Sequence, residues 1–128
     1  MSTTRDDAMR WVTAYERAWR TAGTNGLADL FAANATYVVS PWKPAISGLD
    51  AIRRFWEAGR QGADEAFAMR AEPIATEGDT AVIRVFVEYQ RPTGRPWRDL
   101  WIIEFDGDGR CRHFEEWPFA PGQDDGQG

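Results

Sequence analysis

The sequence predicts an α+β domain in which helices pack on one face of a curved antiparallel sheet. Three observations support this fold class. Apolar residues recur at helical spacing in segments up to residue 58, and from residue 67 onward they alternate with polar residues as in strands. Turn-forming residues separate the later segments. The length of 128 residues fits one domain, residues 1–120, followed by a tail at 121–128 that we expect to be disordered.

Three helices are predicted in the N-terminal half. They cover residues 5–22, 27–31 and 49–58. The first places Trp11, Tyr15 and Trp19 on one helical face, opposite a charged face rich in arginine. The third carries an apolar stripe that includes Phe55 and Trp56. Each helix therefore has one face suited to packing on the sheet.

Five segments have the composition or the alternation of strands. They cover residues 35–40, 67–73, 81–90, 96–105 and 110–117. The last four predict an antiparallel meander, because turn residues join neighbouring segments. The final hairpin carries the sequence Asp-Gly-Asp-Gly at 106–109, and a two-residue turn at Gly107 and Asp108 would place Phe105 opposite Arg110.

Composition excludes several function classes. The net charge is −5 and the isoelectric point is about 4.9, whereas nucleic-acid binders present a basic stripe. No apolar run approaches the roughly 18 residues that span a membrane, and the N-terminus lacks the apolar centre of a secretory signal, so we expect a cytoplasmic protein. A single cysteine and a single histidine argue against a disulfide or a metal site, and no cofactor is predicted.

Four motifs, in this order along the chain, resemble the nuclear transport factor 2-like superfamily, and within it the SnoaL-like proteins of bacteria. They are Trp11-x3-Tyr15-x3-Trp19, the run Leu-Phe-Ala-Ala-Asn-Ala-Thr-Tyr at 30–37, Gly-Leu-Asp-Ala-Ile at 48–52, and the hairpin at 105–110 followed by Phe-Glu-Glu-Trp at 114–117. The resemblance covers residues 8–118. It implies a cone-shaped sheet that encloses an apolar pocket, often in a homodimer, but no single activity.

The resemblance transfers few catalytic residues. Tyr15 matches the catalytic tyrosine of ketosteroid isomerases, but Val39 or Ser40 occupies the place of their general base and Trp101 that of their second oxyanion donor. That isomerase mechanism is therefore not expected.

Two further branches share residues with this chain. Tyr37 and Glu116 match positions of limonene epoxide hydrolases, whose central aspartate falls on Phe86, or on Val85 or Val87 in a shifted register. Polyketide cyclases of the SnoaL type have an acid in the last strand, near Glu116. The resemblance therefore implies a catalytic role only for this acid.

Strand alternation brings a second acid into the predicted pocket. Trp97, Asp99 and Trp101 share the ring-rich face of one strand, and the two-residue turn would place Asp99 opposite Glu116 and Trp101 opposite Phe114. Two carboxyl groups at this spacing in an apolar cavity do not both ionise, so the pair is suited to general acid–base catalysis. Two alternatives stay open. Arg112 or another arginine would hold the acids as ion pairs, or a bulge would turn one acid to solvent.

The remaining candidates are aromatic. Tyr15 is predicted to donate a hydrogen bond to a ligand oxygen, alongside the catalytic pair Asp99 and Glu116, although its helical stripe also suits plain core packing. Predicted ligand-binding residues are Trp19, Tyr37, Trp42, Trp56, Trp97, Trp101 and Phe114. His113 and Cys111 are expected on the outward face, away from the pocket.

The outward face of the sheet carries Phe86, Leu100 and Ile102 among charged residues, which predicts a homodimer interface. Three functions remain in competition. The first is an enzyme that transfers a proton in a small apolar, oxygen-bearing ligand such as a cyclic ketone or a polyketide fragment. The second is a binding module without catalysis, and the third is a dimeric accessory protein.

Overall fold

The computed structural model describes residues 2–59, 66–91 and 96–123, so residues 124–128 of the predicted tail lie outside it. Within these ranges the helices are α1 (Arg5–Arg20), α2 (Leu27–Leu30) and α3 (Leu49–Gly59). The strands are β1 (Phe31–Val38), β2 (Ile46–Ser47), β3 (Ala66–Glu77), β4 (Thr80–Arg91), β5 (Pro96–Phe105) and β6 (Cys111–Phe119). The predicted α+β fold class is confirmed.

One curved, unclosed sheet contains the six strands in the order β2-β1-β6-β5-β4-β3. The meander β3 to β6 is antiparallel, as predicted, but β1 pairs with β6 in parallel, which no local pattern in the sequence indicates. β3 continues through Pro73 to Glu77 because it lies at the sheet edge and bulges at Ile74. An edge strand tolerates proline because one side of its ladder is unpaired.

Helix α1 packs on the concave side of the sheet through the predicted aromatic face. A capping box between Thr4 and Asp7 begins the helix. The indole N–H of Trp11 donates to the backbone carbonyl of Leu30 at 3.0 Å, which fixes α1 against α2. The face that carries Trp11 and Tyr15 is buried, so this helix covers one end of the sheet.

Phe114 of β6 occupies the centre of a cluster of aromatic rings. Its ring centroid lies within 6.2 Å of five other rings, and its side chain is fully buried. The five rings belong to Trp11, Tyr15, Phe31, Tyr37 and Trp101. Many of the aromatic side chains therefore build the hydrophobic core itself.

The register of β5 and β6 differs from the predicted one by two residues. Trp101 lies opposite Glu116, and Asp99 lies opposite Pro118, so the predicted pairing of Asp99 with Glu116 is wrong. An even displacement returns each side chain to the same face of a strand. Asp99 and Glu116 therefore still share the concave face, as diagonal rather than direct neighbours.

Two irregularities cause this displacement. The amide of Asp106 donates to the carbonyl of Arg110 at 2.8 Å, so the loop contains three residues instead of two. Gly109 supplies the left-handed residue of this loop type, with φ of +85°. A bulge at Arg112 adds the second residue, because Phe105 pairs with Cys111 whereas the preceding residue of β5 pairs with His113.

The bulge also corrects the predicted positions of two side chains. Cys111 faces inward and is fully buried, not outward as predicted, because it precedes the bulge. Burial raises the pKa of its thiol well above the ordinary value. Arg112 lies outside the core, where its guanidinium binds Asp79 at 2.6 Å and Glu104 at 3.2 Å.

The conformation of the loop between β5 and β6 can be tested by replacing its glycines. Replacing Gly109 by Ala is expected to lower the free energy of unfolding by about 1 kcal/mol, because alanine disfavours positive φ. Gly107→Ala is the matched control, since Gly107 has no positive φ and no atom within 4 Å of an added Cβ. Urea unfolding would measure both changes, and equal losses would contradict the three-residue loop.

Candidate functional site

A cavity of about 330 Å³ lies between the helices and the concave face of the sheet. This volume is at the lower end of the range for small-molecule sites, about 300–1,000 Å³. Most of the wall is apolar or aromatic. The lining residues are Tyr15, Trp19, Tyr37, Val39, Lys43, Phe55, Gly59, Phe67, Met69, Val87, Tyr89, Trp97, Asp99, Trp101, Glu116 and Pro118.

Seven of the ten predicted site residues meet at this cavity. They are Tyr15, Trp19, Tyr37, Trp97, Asp99, Trp101 and Glu116. Three others do not line it. Trp56 and Phe114 are fully buried in the aromatic core, and the indole of Trp42 is 96% exposed on the loop after β1. Spacing alone did not distinguish a ring in the cavity wall from a ring in the core behind it.

The carboxyl groups of Asp99 and Glu116 both line the cavity and are close enough for each to shift the pKa of the other. Asp99 is 7% exposed, and its Oδ2 accepts a hydrogen bond from the indole N–H of Trp101 at 3.4 Å. Its Oδ1 is buried and receives no hydrogen bond from the N–H and O–H donors of the described residues. A proton held between the two carboxyl groups, or a donor on a ligand, would satisfy this oxygen.

The environment raises the pKa of both acids. Burial raises the pKa of Asp99 to about 6. Burial raises the pKa of Glu116 well above its ordinary value, and the charge of Asp99 raises it further. Asp99 therefore ionises before Glu116 as pH rises, and Glu116 holds its proton longer because the charge of Asp99 disfavours a second charge beside it.

No salt bridge within residues 2–59, 66–91 and 96–123 involves either acid of the pair. Arg112, the cation proposed from the sequence, instead binds Asp79 and Glu104 on the other side of the sheet. Arg112 therefore does not neutralise Asp99 or Glu116, and the shared proton is the arrangement consistent with their burial.

Two tyrosine hydroxyl groups lie beside the pair. The hydroxyl oxygens of Tyr15 and Tyr37 are 3.2 Å apart and both side chains are buried. Burial raises both pKa values, and the nearby Glu116 raises them further. Both hydroxyl groups therefore stay protonated at neutral pH, and because one of them donates to the other, one O–H of the two is left to donate a hydrogen bond in the cavity.

The arrangement of helices, sheet and cavity agrees with a family comparison. The family model described as a SnoaL-like domain matches residues 12–114. The chain belongs to the SnoaL-like family. The resemblance inferred from the sequence motifs is thereby confirmed. No curated protein matches the chain at a significant level.

Solved structures share the fold of this SnoaL-like domain. A proposed polyketide cyclase from Sinorhizobium meliloti is 25% identical with a TM-score of 0.63, over 84% of this chain and 93% of its own. A proposed ketosteroid isomerase from Kribbella flavida is 17% identical with a TM-score of 0.66, over 94% and 79%. A proposed isomerase of the SnoaL-like family from Agrobacterium tumefaciens is 17% identical with a TM-score of 0.69, over 89% and 98%.

Several lining residues of this SnoaL-like domain were not predicted. Val87 and Tyr89 lie on the apolar face of β4, and their alternation with Val85 was a signal that the sequence already contained. Lys43 lies on the loop between β1 and β2, where no periodic pattern identifies a lining residue. No helix in the part of the chain that the structure describes is long and apolar enough to cross a membrane.

The raised pKa values of the pair predict how the stability of the SnoaL-like domain depends on pH. The native state keeps protons that the unfolded chain releases near pH 4, so the pair's contribution to the free energy of unfolding falls as pH rises. The loss extends through pH 6 and beyond. The double replacement Asp99→Asn with Glu116→Gln is expected to remove this pH dependence. Relative to the wild type, the free energy of unfolding of the double variant is expected to increase by on the order of 2 kcal/mol between pH 4 and pH 8.

Urea unfolding at several pH values between 4 and 8 would measure this difference. Glu88→Gln is the control, because Glu88 is an exposed acid of β4. Asp7, Asp79 and Asp108 have lowered pKa values, so their contributions change below pH 4, outside this window. Parallel curves for the wild type and the double variant would contradict the raised pKa values.

Proposed function

We propose that this SnoaL-like domain binds a small apolar molecule with a carbonyl oxygen and moves a proton within it, as a cyclase or isomerase that needs no cofactor. The observation that supports this proposal is the pair formed by Asp99 and Glu116 in an aromatic cavity. One acid of the pair is a proton acceptor and the other a proton donor at the same pH, which general acid–base catalysis requires.

The proposed reaction begins with the ionised carboxylate of Asp99. It removes a proton from the carbon next to the carbonyl group, the electron pair of the broken C–H bond forms a C=C bond, and the π pair of the carbonyl moves to its oxygen. The hydroxyl of Tyr15 donates a hydrogen bond to the developing oxyanion. Protonated Glu116 is the general acid, which can donate its proton to an oxygen atom of the ligand. Asp99 then returns its proton to another carbon in an isomerisation. In a cyclisation, the enolate carbon instead attacks a second carbonyl carbon of the same molecule, the π bond of that carbonyl breaks, and its oxygen takes the proton of Glu116, which is restored by the proton that Asp99 removed.

Two lines of comparison support this class of reaction. The family is SnoaL-like, and its structural neighbours include proteins named as a proposed polyketide cyclase and a proposed ketosteroid isomerase. The position at which ketosteroid isomerases have their general base falls on Val39 or Ser40 in this chain, and Val39 lines the cavity as an apolar residue. The base would therefore come from β5 rather than from the end of β1.

Proton exchange with solvent tests the proposal without knowledge of the natural substrate. The probe is 2-tetralone, a bicyclic ketone, incubated with the protein in D₂O while proton NMR follows the loss of its α-protons. We expect saturable exchange, faster than in buffer, that rises with pH as Asp99 ionises near pH 6. Saturable binding without faster exchange would indicate the non-catalytic binding module instead, and no binding would contradict both.

We also propose a homodimer through the outward sheet face that carries Phe86, Leu100 and Ile102. These side chains are only partly buried, and the exposed rings of Trp117 and Phe119 extend the apolar surface. Light scattering is expected to give twice the chain mass of 14.5 kDa, and Leu100→Glu to give the monomer. A wild-type monomer would contradict this interface.

A further inference from the structure

Lys43 is the single lysine of the chain and lies in the cavity wall. It belongs to the loop between β1 and β2, where its amide donates to the carbonyl of Ser40 at 3.1 Å and Pro41 and Pro44 restrict the backbone. The side chain is exposed, so this part of the wall is the mouth of the cavity. No acidic side chain of the described residues forms an ion pair with its ammonium group.

The positive and negative groups of the cavity therefore lie at different depths. A cation lies at the mouth, and the buried carboxyl of Asp99 lies inside, beside Glu116. Apolar residues such as Val39 and Trp97 form much of the remaining wall. An anionic group placed beside Asp99 would be repelled and desolvated, whereas the same group at Lys43 would meet an unpaired cation in contact with water.

We infer that the ligand of this cavity is an amphipathic carboxylate, with its carboxylate at Lys43 and its apolar, oxygen-bearing body directed towards Asp99 and Glu116. This inference rests on the proposed function, because it assigns the end of the substrate that remains at the mouth. It makes Lys43 a specificity-determining residue that selects carboxylates over neutral molecules of the same shape, while proton transfer takes place at the other end.

A pair of probes that differ only in charge tests the inference. The first is 4-(2-naphthyl)-4-oxobutanoic acid, an aryl ketone with a carboxylate, and the second is its primary amide. Calorimetry at low ionic strength is expected to show that the acid binds about fivefold more tightly, the upper range for an exposed ion pair. The preference is expected to fall as salt is added, because salt screens exposed charges.

Two variants separate the local effect from the change in net charge. Lys43→Gln is expected to bring the affinity ratio to about one while the amide binds as before. Arg84→Gln removes one positive charge from an exposed side chain of β4 whose neighbours Ile83 and Val85 face the core, and it is expected to leave the ratio at about five. A ratio that changes equally in both variants would overturn the inference.

A second readout reports on Lys43 directly. Reductive methylation with ¹³C-formaldehyde labels only this side chain and the N-terminus, and it preserves the charge. The acid probe is expected to raise the pKa of the dimethylammonium group of Lys43, and the amide is expected to leave it unchanged. Equal binding of both probes to the wild type would overturn the inference and leave the proposed function intact. Failure of both to bind, together with no exchange of 2-tetralone, would overturn both.

Discussion

Replacing Asp99 by Asn is expected to slow the exchange of α-protons from bound 2-tetralone by about 10²- to 10⁴-fold, the range that a positioned general base contributes. The amide keeps the shape of the side chain and its contact with the indole of Trp101, but it cannot accept a proton from carbon. Binding is expected to change little, because most of the cavity wall is apolar.

Two further variants define the roles within the pair. Glu116→Gln is expected to slow exchange as well, because it removes the acid and leaves Asp99 without the proton that it accepts. It is also expected to raise the pKa seen in the pH profile, because the hydrogen bond from Glu116 lowers the pKa of Asp99 and its loss leaves the effect of burial less opposed. Glu88→Gln, on an exposed position of β4, should leave the rate unchanged. Wild-type exchange in Asp99→Asn would show that the base lies elsewhere.

The second large effect is expected in the core. Phe114→Ala should lower the free energy of unfolding by about 3–5 kcal/mol, because the ring is fully buried among five aromatic neighbours that cannot close the space. This loss is a large part of the total stability of a small domain, about 5–15 kcal/mol. Urea unfolding of the purified variant would measure this loss of free energy. Failure of the variant to fold would indicate a loss as large as the total stability.

Phe55→Ala is the matched control for this prediction. Phe55 is a partly buried phenylalanine of α3 that lines the cavity. Its ring centroid lies 5.5 Å from that of Tyr37. Its truncation enlarges an existing cavity instead of creating one, so a smaller loss of stability and a weaker affinity for the naphthyl probes are expected. If Phe114→Ala cost no more than Phe55→Ala, Phe114 would belong to the cavity wall, as the sequence suggested.

Local patterns predicted most of the fold. Helix α1 and strands β4 and β5 were predicted within about two residues, because each has a long apolar face or a clear alternation. The parallel pairing of β1 with β6 was not predicted, since it joins residues that are about 80 positions apart in the chain, such as Phe31 and Cys111, and depends on tertiary packing. The two-residue displacement of β6 was also missed. It arises from a loop type and a bulge at Arg112 that no alternation pattern reveals.

The site was predictable where it depends on strand faces. Asp99 and Glu116 share a face in the predicted and the observed register alike, because the displacement is even. The sequence did not predict which inward side chains lie in the cavity wall and which lie in the core behind it. Phe114 lies on the same inward face of β6 as Glu116, yet it is covered by α1, and only the packed structure separates core from cavity. Lys43 was missed because its position depends on the path of a loop.

Asp99 and Glu116 are expected to hold one proton between them at neutral pH. Carbon-detected NMR of the side-chain carboxyl groups, followed from acid to neutral pH, tests it most directly. We expect Asp99 to titrate near pH 6 and Glu116 to remain protonated beyond it. Titration of both carboxyl groups at or below about 4, the ordinary range of Asp and Glu, would contradict the shared proton and with it the acid–base mechanism.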